Sequence, residues 1–228
     1  MEAIVGAVKV ASANTRKNKA EGILCQLLNS FDVVALQEVS ESSISAWDQV
    51  QSLYPGAVLF RNVVGKKHGV AIAIKNPFAP LASVVTKDKD GEVLWIKINL
   101  FSGPLNLVCI YGSNVPTEQS NINIFLKEIC ECSEPVIIVG DMNFAPTHSL
   151  DTRGMSTVHT WPFLSERLTD GSLIDTWRAL HVDKSEFTRV SSDNTKFSRI
   201  DLCLANLPAW LNSEALSCEI GNRIPCSD

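Results

Sequence analysis

Short apolar runs of β-type composition recur along the whole chain, separated by polar breaks. They predict strands over Ile4–Ala11, Asp32–Gln37, Ala57–Arg61, Gly69–Ile74, Ala82–Thr86, Val93–Asn99, Leu105–Ile110, Val136–Gly140 and Ile200–Leu204. Val136-Ile137-Ile138-Val139 is continuously apolar, as expected of a buried strand. Two stretches follow the helical period instead. Ala20–Leu28 places Ile23, Leu24, Leu27 and Leu28 on one face, and Glu118–Cys130 does so with Ile122, Phe125, Leu126 and Ile129. Weaker helical patterns cover Ile44–Leu53 and Phe163–Leu168. Strands and helices alternate, give way to a strand meander, then alternate again. That order predicts two packed sheets with helices outside, an α/β sandwich. Phe144–Thr160 reads as a long irregular loop after a strand.

Composition narrows the picture. The 228 residues suffice for one domain with a substantial core. A net charge of −5 argues against tight non-specific binding to polyanions, though not against a local basic groove. Seven cysteines without a CxxC pair read as reduced thiols, several within apolar runs, in a reducing cytosol or nucleus. The start of the chain shows no signal-peptide pattern, and no apolar run is long enough for a membrane span.

The chemistry gathers where strands end. Asn14 follows the first run, with Arg16, Lys17 and Lys19 just beyond it. Glu38 follows Val33-Val34-Ala35-Leu36-Gln37 and suits a hard cation such as Mg²⁺. Asp141 and Asn143, two residues apart after the run at 136–139, would project in one direction along an extended chain. Asp201 lies among apolar neighbours and calls for a partner such as a histidine or a metal. Read singly, each has an ordinary alternative: a solvated acid, a polar turn closing a strand, or a basic loop before a helix.

Taken as a series, Asn14, Glu38, Tyr111, Asn114, Asp141, Asn143, Asp201 and Ser227-Asp228 resemble the motif order of the exonuclease-endonuclease-phosphatase superfamily. The resemblance covers nearly the whole chain. It implies a DNase I-like, four-layered α/β sandwich of two packed mixed sheets flanked by helices, and one domain over residues 1–228. Leu173–His181, Glu186-Phe187-Thr188 and Phe197–Asp201 look like the endonuclease domains of LINE-type (non-LTR) retrotransposons. In those, a hairpin enters the DNA minor groove. Here Asp193-Asn194-Thr195 makes its tip by turn chemistry. By position, Thr188, Ser198 and Ile200 would approach DNA, and Arg16 would contact phosphate. Pro116 and Thr117 after Asn114 replace the arginine of abasic-site repair enzymes.

The resemblance implies a Mg²⁺-dependent enzyme, with Mn²⁺ as the other candidate ion, that nicks one strand of double-stranded DNA. Glu38 and Asn14 would hold the metal. Asp141 would deprotonate the water and Asn143 orient it, while Tyr111 and Asn114 would donate to the phosphate. The product 3′-OH would prime reverse transcription, with a reverse transcriptase domain in the same longer polypeptide and a nuclear site of action. Asp201 would orient a histidine that the family places after Ser227-Asp228, where this sequence stops. Asp228 itself counts among the catalytic residues. The expectation is therefore a domain cut just before its last catalytic position, and impaired in consequence. His68, His148 and His159 read as ordinary loop residues that do not replace it. Three alternatives stay open: an abasic-site or general repair nuclease, a phosphatase acting on phosphoinositides or nucleotides, and a non-catalytic DNA- or partner-binding module.

Overall fold

The computed structural model describes residues 8–15, 20–40, 47–65, 69–156, 159–211 and 217–221. Arg16, Lys17, Lys19, His68, Ser227 and Asp228 lie outside the described residues. The chain divides into two compact units, one running to Tyr111 and the other from Gly112.

In the first unit the order is β1 (Val10–Asn14), α1 (Ala20–Leu28), β2 (Val33–Val39), α2 (Trp47–Leu53), β3 (Val58–Asn62), β4 (Gly69–Ile74), β5 (Ala82–Lys87), β6 (Val93–Leu100) and β7 (Gly103–Tyr111). The first four strands form a mixed sheet ordered β1-β2-β4-β3, with β1 parallel to β2 and the other pairs antiparallel. β5, β6 and β7 form an antiparallel meander. Every residue of β4 is buried, as its unbroken apolar run requires. Leu24 and Leu28 of α1 pack with Val34, Leu36, Val39 and Val50 in one cluster, with Ile23 and Leu27 against it. The amphipathic stripe read from the sequence is the buried face.

β1 differs from its expectation. It reaches Asn14, because its parallel ladder with β2 continues from Val10↔Val33 to Asn14↔Gln37. Asn14 is thus a strand residue rather than the first loop residue.

In the second unit the order is α3 (Pro116–Glu131), β8 (Val136–Asp141), α4 (His148–Asp151), β9 (Thr152–Arg153), α5 (Pro162–Thr169), β10 (Leu173–Asp175), α6 (Thr176–Leu180), β11 (Arg189–Val190), β12 (Phe197–Ser198), β13 (Asp201–Asn206) and α7 (Leu207–Leu211). β13 pairs antiparallel with both β8 and β10. Pro116 opens α3 two residues before the expected start, since its ring fixes φ and the first turn needs no N–H from it. Ile122, Leu126 and Ile129 of that helix are buried. Fully buried Asn206 joins three segments. Its amide nitrogen donates to Cys132 O (3.2 Å) and Glu134 O (2.9 Å), and its Oδ1 accepts from the N–H groups of Val136 and Ala209 (both 3.0 Å).

The expected loop over Phe144–Thr160 is corrected. It contains α4 and β9, and β9 pairs with β12, which pairs with β11, in a separate three-stranded sheet. Strands of two residues show no periodicity in sequence, so hydropathy could not reveal them. No helix among the described residues is long and apolar enough to cross a membrane.

Candidate active site

In the first unit, Asn14, Glu38 and Tyr111 meet. Glu38 Oε1 accepts from Asn14 Nδ2 at 2.9 Å and from the Tyr111 hydroxyl at 3.3 Å. The Glu38 backbone is unusual. Its φ of +56° is left-handed, and the ladder with β4 shifts register between Leu36 and Val39. Such a backbone costs about 1 kcal/mol or more and persists only where neighbours hold it. Thr15 does so. Its N–H donates to Gln37 O at 2.9 Å, and its hydroxyl stands 3.0 Å from both Gln37 O and Glu38 O. Behind it, fully buried Gln37 donates to Ser12 Oγ and Cys109 Sγ, both at 3.1 Å. Burial pushes the Cys109 thiol up to about 12, so it stays protonated. Thr15 and Gln37 were missed in the sequence because each satisfies backbone or buried polar groups, a role without a motif. The bulge re-aims a carboxylate out of an otherwise buried strand.

In the second unit, β8 ends on Asp141, which is 6% exposed. Its direct partner across the ladder is Asp201 of β13. Directly opposed residues share one face of the sheet, so two carboxylates stand side by side. Asn143 does not continue the alternation. The strand has ended, its φ is +48°, and its N–H donates to Asp141 Oδ1 at 2.9 Å. Its amide nitrogen reaches Gly112 O at 2.9 Å, while Gly112 N–H donates to Asp141 O at 2.7 Å. The expected side-by-side projection of Asp141 and Asn143 therefore becomes a turn in which Asn143 locks the strand end. Asn114 is exposed in the loop just after Gly112.

Gly112 is required by space. A Cβ there would stand 2.4 Å from Met142 O. Gly112→Ala is expected to push the two backbones apart and to destabilise the protein by about 1–3 kcal/mol. A urea midpoint checks this, and a change within about half a kcal/mol would sink the close-approach account.

The hairpin between Thr188 and Asp201 is present, with its tip at 193–195. Asn194 takes φ +56°. Hydrogen bonds from Ser191, Thr195 and the Thr195 N–H hold the Asp193 carboxyl down to about 2. The three residues expected to approach DNA lie at the base of this hairpin. Ser198 and Ile200 are buried, and the Thr188 hydroxyl accepts from the N–H groups of Ile200 and Asp201, both at 3.1 Å. In this structure Thr188 fixes the backbone that carries Asp201.

The largest feature missed in the sequence is a buried ionic cluster next to Asp201. Arg199 is 1% exposed and Asp151 fully buried. Arg199 forks onto Asp151 (Nε–Oδ1 2.8 Å, Nη2–Oδ2 3.0 Å) and onto Asp175 (Nη1–Oδ1 3.1 Å, Nη2–Oδ2 2.6 Å). Arg178 adds a second guanidinium on Asp151 Oδ1 and donates to the carbonyls of His181, Val182 and Lys184. Both guanidinium groups lie over the Trp177 ring, at 4.9 and 5.0 Å. Two cations and two anions leave the cluster formally neutral, the condition for burying charge. It ties α4, α6 and the Ser198–Asp201 segment into one block.

The cluster sets a pH dependence. Burial alone would raise the Asp151 carboxyl. The Arg199 hydrogen bonds and charge, the Thr147 N–H and Arg178 overcome this and hold it below the ordinary carboxylate value. A depressed folded-state value stabilises above the unfolded pKa, near 4, and that stability is lost as pH falls through the folded value. Thermal melts from pH 6 downward are expected to fall below about pH 4, and less so in Asp151→Asn. A variant that starts equally stable and loses as much with acid would contradict this.

His148 Nδ1 contacts Thr152 Oγ1, and His159 Nε2 contacts Gln119 Nε2, both at 2.6 Å. One ring nitrogen of each is thus engaged within the second unit. The six described cysteines are free thiols. Among the described residues, no three His, Cys, Asp or Glu side chains gather as a metal cluster.

A transposon TX1 uncharacterized 149 kDa protein of Xenopus laevis is 25% identical over 158 residues, 65% of this chain. The chain spans only 12% of that relative's length. The endonuclease domain of TRAS1, a telomere-specific non-LTR retrotransposon, superposes with a TM-score of 0.60 at 15% identity, over 88% of this chain and 86% of that one. The 3′ phosphatase NExo from Neisseria, bound to product DNA hairpin, gives a TM-score of 0.66 at 17% identity, over 88% and 87%. These likenesses show the fold, the DNase I-like arrangement of two mixed sheets flanked by helices expected from the sequence. The sequence profile of the Endonuclease/Exonuclease/phosphatase family matches residues 11–228, and the chain belongs to that family.

Proposed function

We propose that the chain is a divalent-metal-dependent endonuclease that nicks one strand of duplex DNA. The observation that carries the reading is the Asp141–Asp201 pair, two carboxylates directly opposed at the end of a buried ladder. Like charges in that position destabilise a sheet, so the pair serves chemistry better than folding. Asp141 takes the proton of the attacking water, and Asn143 holds the strand end that aims it. Asp201, opposite Asp141 in the ladder, would orient a histidine, the role the resemblance implies. Glu38 is the side chain that would hold the metal. It fits a hard cation because it is a half-buried carboxylate whose Oε1 is oriented by Asn14 and Tyr111. Asn14 presents its amide nitrogen to Glu38, so it orients that carboxylate. Mg²⁺ is the ion we assign, and when bound it supplies Lewis-acid neutralisation of the phosphate.

The product is a nick with a 3′-OH, and the biological role is priming of reverse transcription in the nucleus. The transposon relative and the TRAS1 endonuclease fold support this branch, and a reverse transcriptase domain in a longer polypeptide belongs to the same proposal. Cleavage of two otherwise identical duplexes, one intact and AT-rich and one with a single abasic site, tests the branch. The intact duplex is expected to be cut at a comparable or higher rate. A strong preference for the abasic duplex would move the function to repair.

A further inference from the structure

Beside the buried cluster lies a cation that the fold holds ready but does not use. Arg153 of β9 is exposed, and its guanidinium lies over two rings, 5.2 Å from the Phe187 centroid and 5.5 Å from that of Phe197. The rings pack against each other at 5.6 Å, tilted by 46°. Arg153 and Phe197 are direct partners in the ladder between β9 and β12. Among the described residues, no carboxylate pairs with Arg153 and no acceptor takes its N–H groups. Its five donors are left to whatever approaches from outside.

The placement is built rather than incidental. β9 is the third strand of the hairpin arm. Gly154, next in sequence, has φ +72°, and a Cβ there would stand 2.2 Å from Thr195 O, so the arm's tip rests directly on this strand. The strand that carries Arg153 is therefore held against the tip. Stacking on two phenylalanines restrains a side chain that otherwise has about 2 kcal/mol of rotamer entropy to lose on binding. A pre-restrained, uncompensated guanidinium suits an anion that offers two oxygens to its fork, as the non-bridging pair of a backbone phosphate does.

We infer that Arg153, stacked on Phe187 and Phe197, is a backbone-phosphate contact for duplex DNA at the hairpin arm. The inference rests on the duplex-DNA reading under Proposed function. It places the electrostatic contact on the third strand, outside the residues that the sequence pattern assigns to DNA. Positively charged Lys196 lies beside the tip, so the arm presents two cations to a backbone. The Asp193 carboxylate is turned into its own turn, on Ser191 Oγ and Thr195 Oγ1.

The test is equilibrium binding of a fluorescent AT-rich duplex across a salt series, with the Asp141→Asn protein so that no substrate is consumed. Each phosphate contact contributes about −0.9 to the slope of log K against log salt. Arg153→Gln is expected to reduce the slope by about that amount. Arg153→Lys keeps the charge and the slope. Phe197→Leu also keeps the slope, but weakens binding about two- to fivefold through the lost stacking. Lys127→Gln, on the exposed side of α3, is expected to change nothing, and melting curves confirm that each variant is folded. An unchanged slope in Arg153→Gln overturns the inference while leaving the DNA reading intact. An equal loss in Lys127→Gln overturns it too, as a general charge effect. Displacement of the DNA by polyglutamate at equal charge concentration would show a generic anion surface and also overturn it. If the parent protein does not bind duplex at any salt, the DNA reading itself fails.

Discussion

Arg199→Met is expected to lower the unfolding free energy by about 3–5 kcal/mol, the cost of breaking a buried ion pair by removing one partner. That is a large share of the 5–15 kcal/mol typical of a domain. Four hydrogen bonds run from Arg199 to Asp151 and Asp175. Without them Asp151 keeps Arg178 and the Thr147 N–H, but Asp175 retains only its cap on Arg178 N. A methionine fills space without supplying charge, so at least one carboxylate stays buried and under-compensated. Arg199→Lys should recover part of the loss, since it restores charge but not the fork. Urea unfolding measures both. A loss below about 1 kcal/mol in Arg199→Met would mean that water already reaches the cluster. Function should suffer as well. Arg199 lies between Ser198 and Asp201, and Ile200 O accepts Met142 N–H at 2.8 Å, so a shift of this segment disturbs the Asp141–Asp201 register.

The second large effect is catalytic. Asp141→Asn is expected to reduce nicking by about 10²- to 10⁴-fold, the range for loss of a positioned general base. The substitution isolates chemistry from folding. Asparagine keeps an oxygen at Oδ1, which can still accept the Asn143 N–H, so the turn closing β8 should survive. Melting temperature should therefore change little while rate collapses. Rates within about twofold of the parent would remove Asp141 from the mechanism and favour the non-catalytic binding reading.

Legibility in the sequence followed the physics of each element. Strands that are continuously apolar, such as Gly69–Ile74 and Val136–Val139, were visible because burial on both faces dictates their composition. So were the two amphipathic helices. The candidate site residues Glu38, Asp141 and Asp201 could be read because strand ends are where a polar side chain becomes accessible. What holds them could not. Thr15 clamps the bulge across 22 residues, and Arg199 is buried only because Asp151, 48 residues away, comes to meet it. Pairings at that separation leave no local periodicity. The positive φ of Glu38 and Asn143 was equally hidden, since neither is a glycine and both are imposed by tertiary contacts. β9 and β12 each have two residues, too few to alternate.

The proposed reaction is metal-assisted cleavage of a phosphodiester that leaves a 3′-OH. Supercoiled plasmid should be incubated with this chain and either Mg²⁺, Mn²⁺ or no added metal. The nicked product is then offered to a polymerase without phosphatase treatment. The prediction is open circles that are extended directly, and that are absent without metal or when Glu38 is changed to Gln. Intact supercoiled plasmid in every lane with Mg²⁺ and with Mn²⁺, or nicks that a polymerase extends only after phosphatase, would contradict it.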